Sequence, residues 1–141
     1  VGAVIYDPES YAIVSDGYNG PPRKGGQLCG GDCCTRDEQK IASGTHGEIG
    51  CHHAEMNALL NALRLGHSTL GKHMIITCEP CLMCAKMIHH AGISSVLYYA
   101  RGYATFDGVQ YLREHINEEN VRVLQSVDAE EGRGELPQQV P

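Results

Sequence analysis

Three side chains in two short segments are of the types that hold a zinc ion. His53 opens His53-Ala54-Glu55, and two thiols three residues apart follow a proline in Pro80-Cys81-Leu82-Met83-Cys84. One imidazole and two thiolates fill three corners of a tetrahedral site and leave the fourth open to water, which is the arrangement of a catalytic site rather than a closed structural one. A cation there lowers the pKa of water, and a carboxylate beside it can move the protons. Glu55 is that carboxylate. It is too close to His53 in sequence to be a same-face helical ligand, and it fits better as the general acid and base. The chemistry is hydrolysis.

Two plainer readings compete. A structural zinc knuckle wants a fourth protein ligand and has no use for Glu55, and a redox Cys-x-x-Cys pair does not need His53. The full pattern favours the catalytic site. Pro80 suits a helix start, and the positive end of a helix favours thiolates. His53 and Glu55 likewise sit at the start of a helix, so two helix N-termini are expected to converge on one cation.

The elements that must position them follow from periodicity. Residues 1–6 and 10–15 read as strands of a hairpin around the turn signal Asp7-Pro8-Glu9-Ser10. Residues 17–50 lack periodicity and are rich in Gly, Cys and charge, and so long a loop is usually functional or stapled by a ligand or metal. From His53 to Leu65 the apolar residues Met56, Leu59, Leu60 and Leu63 recur at helical spacing until Gly66. A strand over 73–77, a helix over 81–90 with Gly92 near its end, and a strand over 95–99 come next. A helix over 109–116 with Asp107 as N-cap and a strand over 121–124 follow. Strands alternating with helices imply right-handed crossovers onto a mixed sheet covered on both faces. The domain is expected over 1–125, with 126–141 a charged, poorly apolar surface tail.

Composition sets bounds. The 141 residues suffice for one domain with a core, and 42% are apolar. The formal charge of −6 argues against gripping long nucleic acid, which calls for a basic excess. No segment approaches 18 apolar residues and no signal pattern precedes the domain, so a membrane span is not expected and the cytoplasm is favoured. With seven Cys and no signal, metal ligation is the better reading than a disulfide framework. Val1 already lies inside an apolar run, which suggests that further N-terminal sequence precedes it. Cys29, Cys33, Cys34, His46, Cys51 and His52 crowd the long loop. Cys29, His46 and Cys51, with Cys33 or Cys34, are candidate ligands of a second, structural zinc. Cys78 reads as a small core residue. Arg23, Lys24 and Arg101 are candidates for a phosphate by charge alone.

The order H-x-E…P-C-x-x-C is the signature of zinc nucleobase deaminases, which remove an exocyclic amine. With it stand Val1-Gly2-Ala3-Val4-Ile5, Gly17-Tyr18-Asn19-Gly20-Pro21-Pro22, His53-Ala54-Glu55-Met56-Asn57-Ala58 and Pro80-Cys81-Leu82-Met83-Cys84-Ala85-Lys86-Met87-Ile88. On these residues, over roughly 1–125, the chain resembles the cytidine deaminase superfamily. Within that superfamily it looks like the deoxycytidylate (dCMP) deaminases of phage or bacterial type. The resemblance implies a three-layer α/β/α fold with a mixed central sheet, catalytic Zn2+ on His53, Cys81 and Cys84, and Glu55 as general acid and base. It implies that Asn19 meets the sugar hydroxyl, the backbone at Ala54 the pyrimidine edge, and Tyr103 the substrate pocket. It implies conversion of dCMP to dUMP and ammonia for dTTP synthesis and a homohexamer activated by dCTP and inhibited by dTTP. The loop Gly17, Tyr18, Asn19 and Gly20 would line that regulatory site, with Mg2+ accompanying the nucleotide, in the cytoplasm or a viral host's cytoplasm. The resemblance leads one to expect a further N-terminal helix, which the sequence from Val1 does not include. Glu79 before Pro80 is more usual in tRNA adenosine deaminases, the runner-up. A nucleotide-binding module that keeps zinc but no longer catalyses is the third reading.

Overall fold

The computed structural model describes residues 1–21, 34–43, 45, 47–102 and 107–124. Five strands form one mixed sheet in the order β2-β1-β3-β4-β5. The strands are β1 (Gly2–Tyr6), β2 (Ile13–Tyr18), β3 (His73–Ile76), β4 (Ser95–Tyr99) and β5 (Val121–Leu124). The helices are α1 (Thr35–Glu38), α2 (Ala54–Leu65), α3 (Leu82–His90) and α4 (Gly108–His115).

β1 is antiparallel to both β2 and β3, whereas β3, β4 and β5 run parallel. β2 is therefore parallel to β3, and α2, α3 and α4 each bridge two parallel strands while moving in one direction across the sheet. Right-handed crossovers then place all three on the same face. The core agrees. Ala3, Ile5, Met74, Ile76, Val96, Tyr98 and Val121 share one sheet face and pack in one cluster with Ala58 and Leu59 of α2, Ala85 and Ile88 of α3, and Leu112 of α4. Each fully buried large aliphatic side chain contributes roughly 1.5–3 kcal/mol. Val4, Ile75 and Leu97 align across the opposite face and are half-buried. The described residues thus supply the expected mixed sheet and the helical layer on one of its faces.

The first hairpin departs from expectation. The second strand starts at Ile13 rather than residue 10 and runs through Tyr18, into the segment read as loop. The turn is longer because Asp7 organises it: its Oδ1 accepts the N–H groups of Glu9 and Ser10, and Asp7 itself donates to the Ala12 carbonyl. An aspartate bonding its own downstream backbone competes with strand pairing. Asp107 takes the N-cap position of α4 but makes no side-chain cap bond. The short helix α1 carries no periodic signal and was not anticipated.

Candidate metal centre and catalytic cleft

α2 forms because Ala54, Ala58, Leu59 and Ala62 recur on the buried face, and it ends where Gly66 adopts φ 72° and closes onto the last carbonyls. Its N-cap residue is His53, in an extended conformation (φ −68°, ψ 155°) and with no side-chain cap bond. The ring is committed elsewhere: Nδ1 lies 3.4 Å from the Sγ of Cys81 and 3.4 Å from that of Cys84. The cap is supplied from outside the helix. Asn19, just past β2, accepts the Ala54 N–H on Oδ1 at 2.9 Å, which satisfies one of the orphan donors of the first turn.

α3 begins the same way. Cys81 is its N-cap (φ −71°, ψ 164°), and its sulfur accepts the Cys84 N–H at 3.5 Å. A sulfur here takes the role a serine or aspartate oxygen usually plays. Pro80 is fully buried before it, and Gly108 of α4 packs on the Pro80 carbonyl and Cys81 backbone so closely that any side chain there would collide.

His53, Cys81 and Cys84 offer ligand atoms within 4.8 Å of one another, the one such group of three among the described residues. Zinc–nitrogen and zinc–sulfur bonds of about 2.1 and 2.3 Å define a tetrahedron with edges of about 3.6 Å. The 3.4 Å separations fit that frame. The electrostatics agree. Cys81 is drawn down to about 4 by the hydrogen bond from the Cys84 thiol, against partial burial, with His53 assisting. Cys84 is pushed up because it donates to Cys81 and is buried. His53 is raised by its bond to Cys81. The two sulfurs thus pull each other's titration in opposite directions, in the place where a cation can sit and favour both as thiolates.

Glu55, on the first turn of α2, is 4% exposed. Burial pushes its carboxyl above the usual carboxylate range, opposed by a backbone hydrogen bond and by His53. It shares a cleft of about 770 Å³ with Asn19, His53, Cys81, Glu79 and Asp107. A buried, easily protonated carboxylate beside a three-donor metal set is suited to carrying protons. A second concavity lies between α2 and α3, is lined by apolar residues such as Leu59, Leu63, Leu70 and Met87, and contains none of these groups.

The structure brings Asn19 and Ala54 together directly, and the Ala54 N–H is already taken by Asn19. Within Gly17, Tyr18, Asn19 and Gly20, the first two belong to β2 rather than a loop. Gly17 is buried so tightly that a Cβ would collide with the Ala54 carbonyl oxygen and Ala58 nitrogen. Tyr18 and Asn19 are exposed, and Gly20 is bridged to His52. Cys29, Cys33, His46, Tyr103, Arg23 and Lys24 lie outside the described residues. Cys34 lines the cleft, and Cys51 lines it too and is disulfide-bonded, so its sulfur offers no thiolate in this state. Cys78 is buried as expected, though it also reaches the cleft wall and donates to Glu79. Arg101 spends its Nε on the Thr77 carbonyl.

Two residues emerge that sequence reasoning assigned otherwise or not at all. Glu79, read as a hint of another substrate, accepts the N–H groups of Arg101 and Gly102 at 2.9 and 3.0 Å and so latches the segment after β4 to the start of α3. Partial burial opposes its ionisation, but these backbone donors hold it below the usual carboxylate range. Arg36 on α1 donates to the carbonyls of Ala42, Thr45 and Ile49, folding the wall of the cleft. Neither role has a signal in spacing, because backbone carbonyls are not written in the sequence.

The fold and centre define a mononuclear His-Cys-Cys site with an adjoining buried carboxylate on an α/β scaffold. Residues 1–100 match the family described as cytidine and deoxycytidylate deaminase zinc-binding region, and the chain belongs to that family. It is 36% identical to ComE operon protein 2 of Bacillus subtilis, over 81% of this chain and 54% of that protein. It is 32% identical to the deoxycytidylate deaminase of Enterobacteria phage T4, over 70% and 65%. It is 34% identical to that of Homo sapiens, over 76% and 56%. The chain spans about half the length of most of these curated relatives. Among solved structures, the dCMP deaminase of cyanophage S-TIM5 in complex with dCMP and dUMP superposes with a TM-score of 0.66 at 27% identity, covering 89% of this chain and 79% of that one. No helix among the described residues is long and apolar enough to cross a membrane.

Proposed function

We propose that the chain catalyses hydrolytic deamination of dCMP to dUMP and ammonia. The observation that carries this is the buried Glu55 carboxylate beside the His53, Cys81 and Cys84 donor set in one cleft. These three residues would hold Zn2+, which when bound supplies Lewis-acid activation of water. Glu55 would take one proton from the attacking water and pass it to the pyrimidine ring nitrogen as oxygen bonds to C4. It would then take the second from the C4 hydroxyl and pass it to the amine, so that the C4 carbonyl forms, the C4–N bond breaks and ammonia leaves. The raised pKa of Glu55 suits a group that must be base and acid in turn. dCMP is favoured because several relatives are deoxycytidylate deaminases and the cyanophage neighbour was solved with dCMP and dUMP. Glu79 holds the segment after β4 through the N–H groups of Arg101 and Gly102.

The finer parts of the reading rest on the family resemblance. Asn19 meets the sugar and Tyr103 the pocket. dCTP with Mg2+ activates and dTTP inhibits at the exposed Tyr18 and Asn19 end of β2. The assembly is a homohexamer, a second zinc uses Cys29, Cys33, His46 and Cys51 in the reduced state, and the enzyme supplies dUMP for dTTP synthesis in the cytoplasm.

Ammonia release from dCMP, against deoxycytidine, CMP and a tRNA anticodon stem-loop, each with and without dCTP-Mg, tests the proposal. Turnover of dCMP raised by dCTP is expected. Turnover of the stem-loop instead, or of no substrate by zinc-loaded protein, would overturn it. Metal analysis giving a single zinc per chain would remove the second site.

A further inference from the structure

Among the described residues β2 is an edge strand, with no described strand beyond it to pair with its alternate carbonyls. α2 covers that edge with two asparagines one helical repeat apart. Asn61 Nδ2 donates to the Asp16 carbonyl at 2.8 Å, and Asn57 Nδ2 donates to the Tyr18 carbonyl at 2.8 Å. Two residues of strand advance about 6.7 Å and four residues of helix about 6.0 Å, so the two ladders are commensurate. Asn57 goes further. The same Nδ2 lies 3.4 Å from the Gly20 carbonyl, and its Oδ1 is 3.3 Å from His52 Nδ1. It therefore holds the backbone on both sides of Asn19, whose own side chain faces the cleft and caps α2 through the Ala54 N–H.

We propose that Asn57 is a positioning residue for Asn19, fixing through the Tyr18 and Gly20 carbonyls where that amide meets the ligand in the cleft; this rests on the dCMP reading above. Asn57 does not line the cleft, and Asn61, whose side chain bonds Asp16 alone among the described residues, serves as an internal control. The two make the same kind of bond to the same strand, but only Asn57 brackets Asn19.

The test compares Asn57→Ala, its isosteric companion Asn57→Asp and Asn61→Ala. Steady-state kinetics on dCMP are combined with zinc content and hydrogen exchange of the Ala54 amide. Asn57→Ala is expected to raise KM about tenfold with kcat and zinc little changed. Asn57→Asp, which points an acceptor at two carbonyls, does the same should the alanine variant fold poorly. Asn61→Ala is expected to lower thermal stability and leave KM alone. In an Asn19→Ala background the KM effect of Asn57→Ala disappears, as required for a residue that acts through another. Ala54 exchange speeds up in Asn57→Ala and not in Asn61→Ala, a readout that needs no substrate and stands even if dCMP is not turned over. Equal KM values for the Asn57 and Asn61 variants, an undiminished Asn57 effect without Asn19, or unchanged Ala54 protection would each overturn the proposal.

Discussion

The two helix starts that build the centre are alike in one respect and opposite in another. Both place a metal-ligand residue at the N-cap in an extended conformation, His53 on α2 and Cys81 on α3. α3 caps itself through sulfur, has no acidic residue in its first turn, and supplies two thiols. α2 takes its cap from another element and carries the buried Glu55 in its first turn. The helix that supplies the two thiols caps itself, and the helix that carries the buried carboxylate is braced from the edge strand. A thiolate is stabilised where it stands by the N-terminal dipole. A buried carboxylate depends on how its helix is placed, and the bonds from Asn57 and Asn61 of α2 to β2 help fix that placement.

The sharpest way to break the comparison is at α3. Cys84→Ala leaves only two protein donors, so zinc content and turnover should both fall to background, measured by metal analysis and ammonia release. A variant retaining a full complement of zinc would show that the site is held by other groups. The next effect is structural and belongs to α2. Gly17→Ala forces a Cβ into the α2 backbone and should cost about 2–3 kcal/mol or prevent folding. Gly66→Ala meets open space but has φ 72°, and should cost about 1 kcal/mol in denaturant unfolding. A larger loss at Gly66 would mean that the α2–β2 contact is not what seats the helix.

How much of this was legible in the chain follows from the same contrast. His53, Glu55, Cys81 and Cys84 stand out because zinc chemistry uses those side-chain types, and the extents of α2 and α3 follow from helical spacing and the stops at Gly66 and Gly92. Of the apolar residues read on α2, however, Leu59 is buried while Leu60 and Leu63 are exposed, and alanines make up the rest of the buried apolar face. The bracing does not announce itself. Asn57, Asn61, Glu79 and Arg36 act on backbone carbonyls and N–H groups brought near by tertiary structure, and a carbonyl has no letter. The end of β2 was read as loop because Asp16-Gly17-Tyr18 shows no apolar alternation. Gly17 is in the strand for its lack of a side chain, which lets α2 approach.

Glu79 gives a smaller effect that sharpens the α3 side. Glu79→Ala frees residues 101–102 and should destabilise by about 1 kcal/mol after solvent screening, raising KM severalfold while zinc stays bound. Glu79→Gln keeps an acceptor oxygen and should lie between the two. Loss of zinc in either variant would place Glu79 in the metal site instead. The smallest effect is at the far end of the sheet. Lys72 Nζ lies 2.7 Å from Asp7 Oδ2, and that bond, with the N–H groups of Ser10 and Glu9, holds the Asp7 carboxyl well below its usual range. A depressed folded-state pKa contributes stability above the unfolded value, near 3.8, and loses it as pH falls through the folded one. Asp7→Asn should therefore lower the melting temperature slightly at neutral pH, leave the centre untouched, and converge with the parent as pH drops below the carboxylate range. A difference that persists in acid would assign Asp7's contribution to turn geometry.

The proposed chemistry has a carboxylate on the braced helix moving protons beside a cation held mainly by the self-capped one. Zinc content and ammonia release from dCMP by Glu55→Ala, measured together, test it most directly. Zinc is expected to stay bound as in the parent while turnover falls by about 10²–10⁴-fold or more. Substantial turnover with zinc in place would contradict it, and Glu55 would then be a packing residue of α2.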